Sequence, residues 1–121
     1  MPYVDGYVIV VPKKKVKAYA KMARLGEKVW RDHGALDYKE CVGDDLKVKF
    51  GMSFNQLAKT KAGETVFYSF ITYKSRAHRD QVNKRVMKEM ESAGGMPTEM
   101  PFDVKRMAYG GFKVLVDGRK R

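Results

Sequence analysis

The stretch "YVDGYVIVVP", residues 3–12, decides how the chain is read. Its alternate residues fall into two sets, Tyr3/Tyr7/Ile9/Val11 and Val4/Val8/Val10, and both are apolar. In a strand the two sets point to opposite faces of the sheet. A strand apolar on both sides has to be covered on both, so it belongs in mid-sheet. Pro12 ends it, because proline cannot donate to a ladder. Residues 65–73, "TVFYSFITY", carry the same signature and predict a second central strand.

Between these strands the spacing changes. Over residues 13–33, at about 100° per residue, Val16, Tyr19, Met22, Ala23, Gly26, Trp30 and His33 share one side of a helix, and Lys17, Lys21, Arg24 and Lys28 form a row opposite. Gly34 follows in the position that favours a left-handed residue. "ALDYKECVG" (35–43) carries Asp37, Lys39 and Glu40, and charges within a strand suggest a sheet edge. Residues 44–64 read as a polar surface connection with a short turn of helix around Phe54–Leu57. Ser75 is set to cap a second helix, "RAHRDQVNKRVMKEMESA", with a core stripe of Val82, Val86, Met90 and Ala93 and with His78 beside Val82. "GGMPTEMPFD" is a breaker-rich link, and "KRMAYGGFKVLV" (105–116) predicts the last strand. Its two glycines suggest a bulge or a close backbone approach.

The order β-α-β-β-α-β is the ferredoxin-like split arrangement, an α+β fold with one antiparallel sheet and both helices on one face. Its first and third strands are central, in agreement with their two-sided apolar character. Residues 1–117 form one domain, and residues 118–121 form a basic tail. Two helices cannot cover both faces of the sheet. A second copy of the same sheet, packed face to face, is the expected cover, which predicts a homodimer.

The bulk properties exclude several classes. A chain of 121 residues that is 44% hydrophobic is long enough and apolar enough to fold around a core rather than stay disordered. Its one cysteine, Cys41, cannot form an internal disulfide. No apolar run approaches the ~20 residues that span a bilayer, and the N-terminus lacks a secretory pattern, so no membrane partner and a cytoplasmic address are expected. Twenty-five basic residues against 14 acidic leave a net charge of +11, which draws anions without specifying one. Neither histidine stands at metal-ligand spacing from Cys41 or from the other, no nucleotide fingerprint is present, and no metal or other cofactor is expected.

Four segments carry a family resemblance: "YVDGYVIVVPKKK" (3–15), "VWRDHGALDYKECVGDDLK" (29–47), "YKSRAHRDQVNKRVM" (73–87) and "MPFDVKRMAYGGFKVLV" (100–116). Together they resemble a bacterial family, domain of unknown function 1428, from Tyr3 to Asp117. The resemblance implies the dimeric α+β barrel superfamily. That superfamily includes cofactor-free monooxygenases, haem-degrading enzymes, dehalogenating lyases and muconolactone isomerases, and the resemblance selects none of these reactions. The departures lie in the loops "FGMSFNQLAKTKAGE" (50–64) and "ESAGGMPTE" (91–99).

Topology suggests where a site would lie. In the split arrangement the first helix ends where the second begins, which brings His33, His78, Asp5 and Tyr73 towards one end of the helix–sheet layer. One reading is a cleft for a small aromatic or carbonyl compound, with His33 or His78 as proton acceptor, Trp30 as an aromatic wall, and Tyr73 or Asp5 as the orienting group. Proton transfer or cofactor-free oxidation is then the expected reaction class, by analogy of fold. A plainer reading has each histidine hydrogen-bonded at a helix end. A third has Lys17, Lys21, Arg24 and Lys28 binding an anionic partner, RNA included, without catalysis. The absence of a base-stacking aromatic strand counts against RNA.

Overall fold

The computed structural model describes residues 1–95 and 99–120. Residues 96–98 of the breaker-rich link and Arg121 of the basic tail lie outside the described residues. In chain order the elements are β1 (Tyr3–Pro12), α1 (Val16–Asp32), β2 (Asp37–Val42), α2 (Phe54–Ala58), β3 (Glu64–Tyr73), α3 (Arg76–Ser92) and β4 (Ala108–Lys113). The strands form one antiparallel sheet in the order β2-β3-β1-β4, so both two-sided apolar strands are central and the charged β2 is an edge. This is the expected ferredoxin-like α+β arrangement. Among the described residues, no helix is long and apolar enough to cross a membrane.

The β1–β3 pairing runs without interruption from Tyr3↔Tyr73 to Pro12↔Glu64. It puts Tyr3, Asp5, Tyr7, Ile9 and Val11 on the same face as Phe67, Ser69, Ile71 and Tyr73, and α1 and α3 cover that face. The layer beneath the helices is two half-cores rather than one. Val82 and Val86 of α3 pack with Tyr3, Ala35, Ile71 and Tyr73. Tyr19 and Ala23 of α1 pack with Ile9, Val11 and Phe67, and Tyr7 touches both groups. Ala93, expected on the buried stripe, is instead exposed at the C-cap of α3, because the last turn of that helix runs beyond the buried core.

The last strand is shorter than expected at both ends. A 3-10 turn at Val104–Arg106, capped by the Asp103 side chain, occupies its expected start. Its ladder ends where Tyr3 pairs with Lys113, because β1 begins there and offers little more to pair with. The register shows no bulge, so the glycine pair reflects close approach: a Cβ on Gly111 would collide with the ring of Tyr3, which lies under the Arg79 guanidinium.

Among the described residues, the second face of the sheet is only half covered. Helix α2 is held by a capping box at Ser53 and lies across this face, with Phe54 edge-on to Tyr68. Val10 and Val66, which point to this side, are buried, whereas Tyr68 is 48% and Phe112 62% exposed. Arg106 secures this arrangement by donating to both carboxylate oxygens of Glu64, at 2.7 and 2.9 Å, and to the carbonyl of Lys59 at 3.0 Å. The bidentate bond to Arg106 holds the Glu64 carboxyl down at about 2. A carboxyl whose folded pKa is depressed stabilises the fold above its ordinary range near 4.5 and loses that contribution as pH falls through about 2. Glu64→Gln is therefore expected to lower the urea midpoint at neutral pH, with the gap to wild type closing across that acid window. A gap independent of pH would show that the ion pair is not its source.

Candidate functional site

Three of the candidate residues meet beneath α3. Trp30 Nε1 donates to Asn83 Oδ1 at 3.1 Å, and the Tyr73 hydroxyl lies 3.4 Å from the same oxygen, with Asp5 in the same cluster. Arg79 Nη1 donates to Asp5 Oδ1 at 2.9 Å. Asp5 is only 3% exposed, and burial raises its pKa against the lowering effects of Arg79, Asn83 and Tyr73. Burial, and then the charge on Asp5, also push the Tyr73 phenol up. Arg79 and Asn83 were not among the expected residues. They stand at i and i+4 of α3, flanking the Val82/Val86 stripe, which is the spacing that could have marked them.

The histidines are close in the fold but have separate partners. His33 Nε2 lies 3.0 Å from Glu89 Oε1. His78 caps the start of α3: its Nδ1 accepts the Lys74 N–H at 3.0 Å, and its own N–H goes to the Ser75 hydroxyl. With Nδ1 occupied as an acceptor, the neutral His78 ring carries its proton on Nε2, which faces Gly34. The edge of Tyr73 packs on His78 with ring centroids 5.9 Å apart. The basic row of α1 is exposed along its length, and Lys28 is paired with Asp32 at 2.9 Å.

The open space in the helix–sheet layer lies elsewhere, under the middle of α1 where the two half-cores part. An outer cavity of about 300 Å³ is lined by Tyr19, Ala20, Ala23, Arg24, Glu27, Tyr38, Glu40 and Phe67. An inner cavity of about 120 Å³ is walled chiefly by Tyr7, Ile9, Met22, Ile71 and Phe102. Tyr19, Tyr38 and Glu40 line both and form their shared wall. Trp30 stands behind Tyr38, with ring centroids 6.4 Å apart.

Glu40 is the polar centre of this cleft. Tyr19 donates to its Oε1 at 2.7 Å, Tyr38 to its Oε2 at 3.1 Å, and the Ser69 hydroxyl also donates to Oε1. Burial first, and then the Glu40 carboxylate, raise both phenols far above their usual range, so they remain donors. Tyr7 is pushed up to about 12, chiefly by burial and then by the charge on Asp5. Gly26 belongs to the same construction. Glycine inside a helix costs about 1 kcal/mol relative to alanine, but a Cβ there would come within 2.7 Å of the Tyr38 hydroxyl. Among the described residues, no lysine, arginine or histidine forms an ion pair with Glu40, whereas Asp5 and Glu64 each have an arginine.

Comparison with known proteins gives the family. The family described as "Protein of unknown function (DUF1428)" matches residues 2–104. The chain belongs to this family. It is 38% identical over 119 residues to the uncharacterized protein YbaA of Escherichia coli (strain K12), covering 97% of this chain and 99% of that protein. The uncharacterized protein YbaA of Shigella flexneri matches to the same extent. The family span takes in β1 to α3, and so Tyr7, Tyr19, Tyr38, Glu40 and Ser69.

The Asp5 network and the Glu40 cleft differ in what they leave free. Asp5 already has its counter-ion, and removing it would leave the mostly buried Arg79 with the exposed Asp80 as its remaining ion-pair partner. Asp5→Ala is expected to destabilise the fold by about 3 kcal/mol in urea denaturation, as breaking a buried pair does. Asp5→Ala combined with Arg79→Met is expected to recover part of that loss. A double variant no more stable than Asp5→Ala would show that the charge left on Arg79 is not the cause.

Proposed function

We propose that the chain binds a small aromatic compound in the helix–sheet cleft between α1 and β2. The observation that carries this reading is the cleft's construction: an aromatic-walled cavity around a half-buried carboxylate. The walls favour an aromatic body over an open-chain carbonyl compound. The hydroxyls of Tyr19, Tyr38 and Ser69 all bond Glu40, which leaves an acceptor rather than a donor for the ligand. Among the groups lining both cavities, Glu40 is the one suited to accept a proton, so any proton-transfer chemistry in the cleft would centre on it. In this reading the site lies under the middle of α1, and His33 and His78 support the ends of the helices.

The reading is tested with indole as a probe, followed by amide shifts in the NMR spectrum. Saturable shifts are expected at Tyr19, Ala23, Tyr38 and Ser69, and are expected to vanish in Ala20→Trp, which fills the outer cavity from the side of α1. Shifts confined to the second face of the sheet, or unchanged in Ala20→Trp, would overturn it.

We further propose that a second copy covers the open half of the sheet. In a chain of net charge +11, association across most surfaces sets like charges against each other. The open half of the second face offers Val4, Gly6, Val8, Phe70, Thr72, Gly110 and Phe112, and the charged strand side chains beside them, Asp37 and Lys39, neutralise one another at 2.7 Å. The directly paired Gly6 and Gly110 leave a trough of about 250 Å³ beside Phe112, a hollow and a knob on one surface that a two-fold axis can bring together. Sedimentation is expected to give twice the 13.9 kDa of one chain, and Phe112→Lys to give a folded monomer. A monomeric wild type, or a dimer indifferent to Phe112→Lys, would exclude this surface.

A further inference from the structure

We infer that the ligand of the Glu40 cleft carries a protonated amine on its aromatic body, and that Glu40 is its counter-ion. The inference rests on the cleft being a binding site and adds the charge of the occupant. A carboxylate offers two lone pairs on each oxygen. At Glu40, Tyr19 and Ser69 occupy Oε1 and Tyr38 occupies one position on Oε2, so one acceptor position remains. These three donors are neutral hydroxyls. They satisfy the hydrogen-bonding geometry of the carboxylate and leave its negative charge uncompensated.

The surroundings point the same way. Glu27 is a second carboxylate at the outer cavity, against the single cation Arg24, so this cavity is locally anionic in a strongly basic chain. Its remaining walls are the rings of Tyr19, Tyr38 and Phe67 and the small side chains of Ala20 and Ala23, and aromatic faces attract an ammonium group as well as an aromatic body. A carboxylate on the ligand would face Glu40 across a half-buried cavity, where like charges are poorly screened. A neutral aromatic ligand would leave the charge on Glu40 as it stands.

Three probes of similar size and different charge test this: phenethylamine, protonated at neutral pH, phenethyl alcohol, and hydrocinnamate. Each is titrated into the wild type with amide shifts at Tyr19, Tyr38, Glu40 and Ser69 as the readout. Phenethylamine is expected to bind about tenfold more tightly than the alcohol, the gain that a charge-assisted bond gives over a neutral one, and hydrocinnamate most weakly. That order runs against the net charge of the protein, which by itself favours the anion. In Glu40→Gln, similar in shape, one oxygen still accepts from Tyr19 and Ser69 while the amide NH2 donates to the Tyr38 oxygen, and the amine and the alcohol are expected to bind equally. Equal binding of all three probes by the wild type, a preference for hydrocinnamate, or an amine preference that survives Glu40→Gln would overturn the inference and leave the cleft as a site for neutral or anionic aromatics. Absence of cleft shifts with every probe, indole included, would overturn the cleft reading and this inference together.

Discussion

The antiparallel pairing of β1 with β3 is the constraint from which the other contacts follow. A sheet register that slips by one residue turns every side chain to the opposite face. Hydrophobicity alone barely opposes such a slip here, because both strands are apolar on both sides. The polar residues oppose it. In the observed register Asp5 meets Arg79, Ser69 meets Glu40, and the ring of Tyr3 lies over Gly111. With the strands reversed, Asp5 would face the second side, away from Arg79, Asn83 and Tyr73. The Asp5–Arg79 pair thus distinguishes the two faces of β1 where apolar patterning does not, whatever its net contribution to stability.

The same distinction explains what could be read from the sequence. Helix faces, the central placement of two strands, the edge position of β2 and the Ser75 cap all follow from local patterns of period 3.6 or 2 and from cap chemistry, and the structure carries each of them, Ala93 apart. Strand parity did not follow, because two apolar faces give no contrast between inside and outside. Topology places Asp5 and Tyr73 at one end of the layer without deciding which face of the sheet they take, and the same lack of contrast conceals Glu40. In the sequence, Asp37, Lys39 and Glu40 form one group of edge charges. The period-2 rule separates them: Asp37 and Lys39 share the outer face as an i, i+2 ion pair, whereas Tyr38 and Glu40 share the face under α1. Gly26 was visible on the buried side of α1, but the space it leaves for the Tyr38 hydroxyl depends on a contact remote in sequence. Topology brought the histidines together at one end of the layer, yet proximity in a fold does not decide a hydrogen-bond partner. His33 bonds Glu89 and His78 bonds the backbone of Lys74.

The two acidic groups beneath the helices show how one layer holds charge in two ways. Asp5 is deeply buried, and an arginine, an amide and a phenol close around it, so its charge is matched inside the protein. Glu40 lies at the gap between the half-cores, where solvent still reaches, and it is held by neutral hydroxyls. Neutral donors orient a carboxylate without cancelling it. Folding alone does not call for this network, because replacing a buried polar group together with all its partners by well-packed apolar side chains is often neutral or stabilising. The rest of the layer shows that the chain can place an arginine where a carboxylate needs one. At Glu40 it places two tyrosines, a serine and a helix glycine that makes room for one of them, and the cavity lies against the side chain they hold. A carboxylate held rigid, satisfied in its geometry and unmatched in its charge is suited to a partner that arrives from outside.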